Sequence, residues 1–394
     1  MNAAPEPPTP LAQWLHAQSQ VGQSVARIDT PALVVDLDAM ERNLAHMAAY
    51  ARAHKLRLRP HAKMHKSAEL ARLQMAHGAV GVCVQKTDEA IALALAGVTD
   101  ITITNQVIAQ AKLERLARAV RELPTRFGIA VDNAVGVTRL VEALTAARVD
   151  GEARIDVLVE IDVGQGRCGV PPGEAAVDLV RLIAQHPVLR FGGLQAYHGG
   201  AQHRRDPAER ARAIAEAAWG AALTRERLLA AGFEVPLITG AGTGTFTLET
   251  ASRVWGELQV GSYLFMDADY ARNEAAPLAP LFEHALFLKT QVMSRGPQHA
   301  VCDAGHKSHA IDSGMPMVWS PPGLVFANGG DEHGVLRAAH AGHPLPSLGD
   351  TVWLVPGHCD PTVNLHDVLL GVRGGLVEGT VERVIRVDAR GAVR

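Results

Sequence analysis

The chain has 394 residues, a formal net charge of −3, and 47% hydrophobic against 20% charged residues. That length exceeds one ordinary core and implies two domains, or one large barrel with an appendage. The charge excludes the basic field of a nucleic-acid binder and a polybasic membrane patch, and no apolar run reaches the ~20 residues that span a bilayer.

Residues 1–28 read as an N-terminal arm. They are Pro-rich and lack the basic and apolar stretches of a signal peptide. Short apolar runs then alternate with amphipathic stretches. The runs are Ala32–Leu37, Leu56–Arg59, Val80–Gln85, Ile101–Thr104, Phe127–Val131, Ile155–Ile161, Phe191–Gln195, Val235–Thr239 and Leu258–Gly261. Such alternation predicts βαβ units and a parallel sheet. Setting aside the first run, which follows the Pro-rich start, leaves the eight strands of a TIM-like (β/α)8 barrel over residues 29–272. An open doubly wound sheet is the alternative. From residue 273 to 394 helical periodicity fades and short β-rich runs take over, which predicts a mainly β C-terminal domain that the 32–37 strand can join. The four cysteines, Cys83, Cys168, Cys302 and Cys359, lie far apart with no C-x-x-C pair. This implies a reducing, cytoplasmic setting without a disulfide framework.

A parallel barrel builds its site at the C-terminal ends of its strands. There the sequence places Lys63 between His61 and His65, then Gln85, Asn105, Asp132, Asp162 with Arg167, Tyr197-His198, the turn Gly240-Ala241-Gly242-Thr243-Gly244-Thr245, and Gly261-Ser262-Tyr263. A lysine desolvated in a barrel mouth has a lowered pKa and condenses with an aldehyde; on position alone, a solvated surface lysine is the commoner case. The glycine-rich turn suits a single phosphate through converging backbone N–H groups. It lacks the Lys of a P-loop, and a plain tight turn is equally compatible. Farther on, His358 and Asp360 are two apart. In an extended segment they share one side and could hold a divalent ion such as Zn2+, Mn2+ or Mg2+; a hydrogen-bonded His–Asp turn is the blander reading.

The motifs DTPALVVDLDAMERN, LRPHAKMHK, VCVQK, EIDVGQGRCGV, LQAYHG, TGAGTGT, ELQVGSYLFMDADY, DEHGV and VPGHCDPTVNLHD occur in that order. The chain therefore resembles the D-threonine aldolase and D-serine dehydratase group of fold-type III, alanine racemase-like enzymes. The resemblance implies pyridoxal 5′-phosphate bonded to Lys63. It implies Gln85, Arg167 and Tyr197 around the cofactor ring, and Thr243, Gly244, Gly261, Ser262 and Tyr263 at the phosphate. It implies a divalent metal on His358 and Asp360, Mn2+ ahead of Mg2+ or Zn2+, His198 near the substrate hydroxyl, and a homodimer. Members of the group often read GGGTG where Gly240-Ala241-Gly242 stands, and the extra methyl is tolerable if φ there is negative. Dehydratases of the group tend to pair His with Cys; the pair here is His with Asp. The expected activity is thus retro-aldol cleavage of D-threonine and related β-hydroxy D-amino acids. The alternatives are a 3-hydroxyaspartate aldolase, with Arg59, Lys66 or Lys307 facing the distal carboxylate, a D-serine or D-threo-3-hydroxyaspartate dehydratase, and a non-catalytic cofactor-binding protein.

Overall fold

The computed structural model describes residues 10–151, 154–274 and 282–394; the Pro-rich part of the expected arm, residues 1–9, lies outside them. The described residues divide into two compact units, one of 44–151, 154–263, 270–274 and 392–394, the other of 10–43, 264–269 and 282–391. The division differs from the expected boundaries at 28/29 and 272/273, because residues 29–43 and 264–269 pack with the β unit.

The strand set aside is β1 (Ala32–Asp36), and it belongs to the β unit. The barrel strands are β2 (Arg57–Leu58), β3 (Val82–Val84), β4 (Asp100–Ile103), β5 (Arg126–Val131), β6 (Ile155–Glu160), β7 (Leu189–Ala196), β8 (Ile238–Gly240) and β9 (Glu257–Leu258). All pair in parallel, in the order β2-β9-β8-β7-β6-β5-β4-β3. The two ends of that order meet: Val80 N donates to Leu58 O (2.8 Å) and Cys83 N to Pro60 O (2.8 Å). Eight parallel strands therefore form the expected TIM-like barrel.

Residues Val82, Ile101, Ile129, Val157 and Leu194 are at most 1% exposed, as expected of parallel strands covered by helices. Helix Gln110–Glu122, between β4 and β5, turns Leu113, Leu116, Ala117 and Val120 inward, one face of a 3.6-residue period. Burying each large apolar side chain there contributes about 2 kcal/mol. Helix Ala134–Ala146 starts where the Asn133 side chain accepts the Gly136 N–H (2.8 Å), and helix Pro207–Ala230 where Asp206 caps Ala208 and Glu209 ahead of a Pro at the first turn.

In the β unit, β1 lies between two strands. It pairs antiparallel with Leu286–Arg295 and parallel with Val368–Arg373, within a nine-stranded sheet. Leu33, Val34 and Val35 are at most 1% exposed.

Candidate active site

Pro60 follows β2, and a single turn of 3-10 helix, Ala62–Met64, carries Lys63. His61 anchors this turn. Its Nδ1 accepts the Lys63 backbone N–H (3.3 Å), so Nε2 holds the ring proton and donates to Thr104 Oγ1 (3.2 Å). The Gln85 amide end lies 2.9 Å from Nε2 and must turn its oxygen toward that proton. Burial, with the charges of Lys63, His65 and Arg167, holds His61 well below the usual histidine range, so the ring is neutral. His65 is wholly buried; it donates from Nε2 to Gln74 Oε1 (3.2 Å) and accepts the Ser67 N–H at Nδ1 (3.0 Å). Both nitrogens are engaged in packing, which leaves neither for a metal. Lys66 sits at φ +50° and pairs through Nζ with Glu89 Oε1 at 3.1 Å, both side chains buried.

At the opposite strand ends, Tyr263 N donates to Thr243 Oγ1 (3.0 Å), which sets the β8 and β9 turns side by side. Gly261 closes on the lysine turn: a Cβ there would stand 3.2 Å from His61 O. The N–H groups of Gly242, Thr243, Gly261 and Ser262 donate to no acceptor among the described residues. Together with the Ser262 hydroxyl they fit an anion the size of a phosphate. Two of the expected phosphate residues have protein partners of their own. The Gly244 N–H is taken by Gln202 Oε1 (3.0 Å), so Gly244 serves by lacking a side chain, since a Cβ would meet Gln202 O at 2.7 Å. The Tyr263 ring is fully buried and its hydroxyl accepts from Gln74 Nε2 (3.1 Å). The expectation for Ala241 also fails. Its φ is +69°, the left-handed region in which a Cβ costs about 1–2 kcal/mol.

Between these ends, the Arg167 guanidinium lies over the Tyr197 ring at 5.8 Å from its centroid. His198 starts the 3-10 turn Gly199–His203 and is 5% exposed. Burial, reinforced by Arg204 against the opposing pull of Asp162, holds it below the usual histidine range. Its Nδ1 is buried with no hydrogen-bond partner among the described residues, while Nε2 faces Gly164, where a Cβ would stand 3.2 Å away. A neutral imidazole here is fit to accept a proton.

The expected metal pair, His358 and Asp360, lies in the β unit. The segment is not extended as expected: His358 is extended, but Cys359–Val363 forms a helical turn. The turn still brings His358 Nε2 to 3.7 Å from Asp360 Oδ1. His358 Nδ1 donates to Asp312 Oδ2 (2.7 Å), which directs Nε2 at Asp360; a carboxylate on the far nitrogen commonly orients a metal-binding histidine in this way. Burial opposes charge on this ring, yet Asp360, Asp312 and Asp267 outweigh it and hold the ring above the usual range. Asp267, wholly buried, accepts the Cys359 N–H (3.1 Å). The Cys359 thiol is buried and pushed well up by that burial and by Asp267 and Asp360, which makes it a poor ligand. Among the described residues no group of three or more His, Cys, Asp or Glu stands at metal-binding spacing. Two donors beside open positions suit a hard or borderline divalent ion that also takes water or substrate.

Gln202, Asp312, Asp267 and Thr104 were not legible as site residues. Nothing in their local sequence marks them, and only the fold brings them to the motifs.

A closed parallel barrel with a lysine turn and a phosphate-sized cradle on its rim, continued by a β unit, defines the alanine racemase-like class. Residues 35–269 match the family model described as alanine racemase, N-terminal domain, and residues 285–372 the one described as putative serine dehydratase domain. The chain is 45% identical to a D-threonine aldolase of Arthrobacter sp. over 95% of this chain and 96% of the relative. It is 41% identical to a 3-hydroxy-D-aspartate aldolase of Paracoccus denitrificans (strain Pd 1222) over 94% of each. The crystal structure of D-threonine aldolase from Filomicrobium marinum superposes with a TM-score of 0.90 at 48% identity, over 95% of this chain and 99% of that one. The chain belongs to the D-threonine aldolase and D-serine dehydratase family of fold-type III pyridoxal phosphate enzymes.

Proposed function

We propose that this protein is a pyridoxal phosphate- and divalent-metal-dependent aldolase that cleaves D-threonine and related β-hydroxy D-amino acids to glycine and an aldehyde. The observation that carries the choice is the aim of His358 Nε2 at Asp360 while Cys359 is buried with a raised thiol, a His–Asp pair rather than a His–Cys pair. The nearly full-length similarity to an aldolase supports it.

Lys63 would bond the cofactor, with Gln85, Arg167 and Tyr197 around its ring and the Gly242–Thr243 and Gly261–Ser262 turns at its phosphate. Bound there, the cofactor supplies an electron sink for the pair released from the Cα–Cβ bond. His358 and Asp360 would hold a divalent ion, which would supply Lewis-acid chemistry at the substrate hydroxyl. His61 holds the Lys63 backbone and so sets the direction from which the side chain reaches the substrate. His198, neutral because buried, accepts the proton that the substrate β-hydroxyl loses. The tested products are decisive: glycine and acetaldehyde from D-threonine support the reading, and ammonia without aldehyde defeats it in favour of dehydration. Lys63→Ala should abolish the visible absorbance of the reconstituted protein; a band that survives refutes the assignment of Lys63.

The same reading takes Mn2+ as the ion, a homodimer as the assembly and the cytoplasm as the location. The four cysteines are all free, and no described helix is long and apolar enough to cross a membrane. Rates with each ion after metal removal, and sedimentation, check the first two.

A cavity supports 3-hydroxyaspartate as a second substrate. Arg59, Lys66 and Lys307, the candidate partners for a distal carboxylate, are each neutralised, by Glu257 and Asp100, by Glu89, and by Asp331 and Glu332. Gln85, Lys86, Asn105, Gln106, Lys112 and Arg394 instead line a cavity of about 80 Å3. Neither Lys86 nor Lys112 has a carboxylate within 4.0 Å among the described residues. If this cavity takes the distal carboxylate, Lys86→Gln should raise KM for 3-hydroxyaspartate and leave KM for D-threonine unchanged. Equal effects on both substrates exclude it.

A further inference from the structure

Behind the phosphate turn runs a buried chain of hydrogen bonds. Gln202 is wholly buried. Its Oε1 accepts the Gly244 N–H (3.0 Å), and its Nε2 donates to Thr245 Oγ1 (2.7 Å) and to His198 O (3.3 Å). Thr245 Oγ1 in turn donates to Glu249 Oε1 (2.7 Å). Glu249 lies on helix Phe246–Ser252, the helix that the turn leads into, and is 1% exposed. Its Oε2 is buried with no hydrogen-bond partner among the described residues.

Among the described residues no cation pairs with this carboxyl. From the preceding helix, Leu37–Ala53, the titratable neighbour is Tyr50, which stacks on His54 and whose hydroxyl is itself pushed up by burial and by Glu249. The helix Pro207–Ala230 presents Ala213 and Ile214 to the neighbouring Leu248, and the 3-10 turn presents Ala201 and Gln202. No charged side chain appears among the influences on Glu249, whose pKa burial pushes up to about 7 against the Thr245 hydrogen bond. A lone buried carboxylate with half its lone pairs unmet is costly, so the proton is held up to about pH 7.

We propose that Glu249 acts as a neutral acid that positions the phosphate turn through Thr245 and Gln202, and that its ionisation is coupled to the hold on a phosphate dianion. A second negative charge behind the turn repels the dianion through a low-dielectric interior. Binding a phosphate ester therefore takes up one proton where Glu249 was ionised, and loss of that proton weakens the hold. Gln202 carries the same link to the His198 backbone, so the turn and the proton acceptor are set by one side chain. This inference rests on the reading of the turn as the cofactor's phosphate site.

The test titrates apoprotein with pyridoxal 5′-phosphate and with pyridoxal, which lacks the phosphate, on either side of pH 7. Wild type and Glu249→Gln are compared by the visible absorbance and by calorimetry in two buffers of different ionisation enthalpy. Relative to Glu249→Gln, wild-type affinity for pyridoxal 5′-phosphate should fall above pH 7 with a slope approaching tenfold per pH unit, the slope of one linked proton. Proton uptake should be lower in the variant, and pyridoxal should not distinguish the two proteins. Identical pH dependence for the phosphate ester, or an equal difference with pyridoxal, overturns the proposal. Should the variant not fold, infrared spectroscopy on wild type decides: a buried acid's carbonyl band should fade above pH 7 in apoprotein and persist with pyridoxal 5′-phosphate bound. Its absence below pH 7 refutes the neutral acid. Failure of the ester to bind at all, or an absorbance that survives Lys63→Ala, refutes the cofactor reading instead.

Discussion

At the scale of single residues, the rim of the barrel stores strain and buried charge where the sequence departs from the most permissive choice. Ala241 is held at φ +69° inside the phosphate turn. Glycine reaches that conformation without the Cβ penalty, though it loses more entropy on folding. Ala241→Gly should therefore raise stability by about 0.5–1 kcal/mol in a denaturant titration, with cofactor affinity kept. Lys66 and Glu89 form a buried pair at 3.1 Å, and Glu89 Oε2 also accepts the Gln85 and Lys86 N–H groups. Lys66→Met leaves that carboxylate uncompensated and should cost about 3–5 kcal/mol. His198 is held below the usual histidine value of 6.5 by its burial. Its neutral, proton-accepting form is present at and above that value and is lost as pH falls through the lowered one. The acid limb of kcat/KM should lie below pH 6.5, and His198→Asn should remove it.

At the scale of elements, the helical turn Cys359–Val363 and the segment 267–269 determine where the metal pair faces. Ala268 N and Asp269 N donate to Pro356 O and Gly357 O, and Asp267 receives the Cys359 N–H. Asp312 orients the His358 ring from a separate loop. Asp312→Asn should weaken divalent-ion binding by roughly 10–100-fold, measured by calorimetry with Mn2+, while the cofactor absorbance is unchanged. Unchanged ion affinity would remove Asp312 from the site. The strand Ala32–Asp36 shows why a local pattern does not name its sheet. Its apolar run matches those of the barrel strands, but its partners are Leu286–Arg295 and Val368–Arg373, more than 250 residues away in sequence. Leu33→Ala should destabilise the β unit by about 3 kcal/mol.

At the scale of the whole molecule, the two groups of site residues belong to different compact units. Lys63, Gln85, Arg167, Tyr197, His198, Thr243 and Ser262 lie in the barrel unit, and His358 and Asp360 in the β unit. A chelator should abolish aldehyde release while the visible cofactor absorbance remains, and Lys63→Ala should remove the absorbance while Mn2+ binding remains. The alternation of apolar runs determined the barrel, since parallel strands covered by helices need that pattern whatever their neighbours. The ordered motifs likewise determined the family, and they carry the proposal of Lys63, His198 and the His358–Asp360 pair. The turn proposed to hold the phosphate was legible as a glycine-rich strand end. Its working parts were not: that Gly244 is spoken for by Gln202, that Tyr263 points into the core, and that Ala241 is left-handed follow from packing and backbone angles. Glu249 makes the same point. In sequence it is one helix acid among many, and only the closed interior around it raises the carboxyl pKa to about 7.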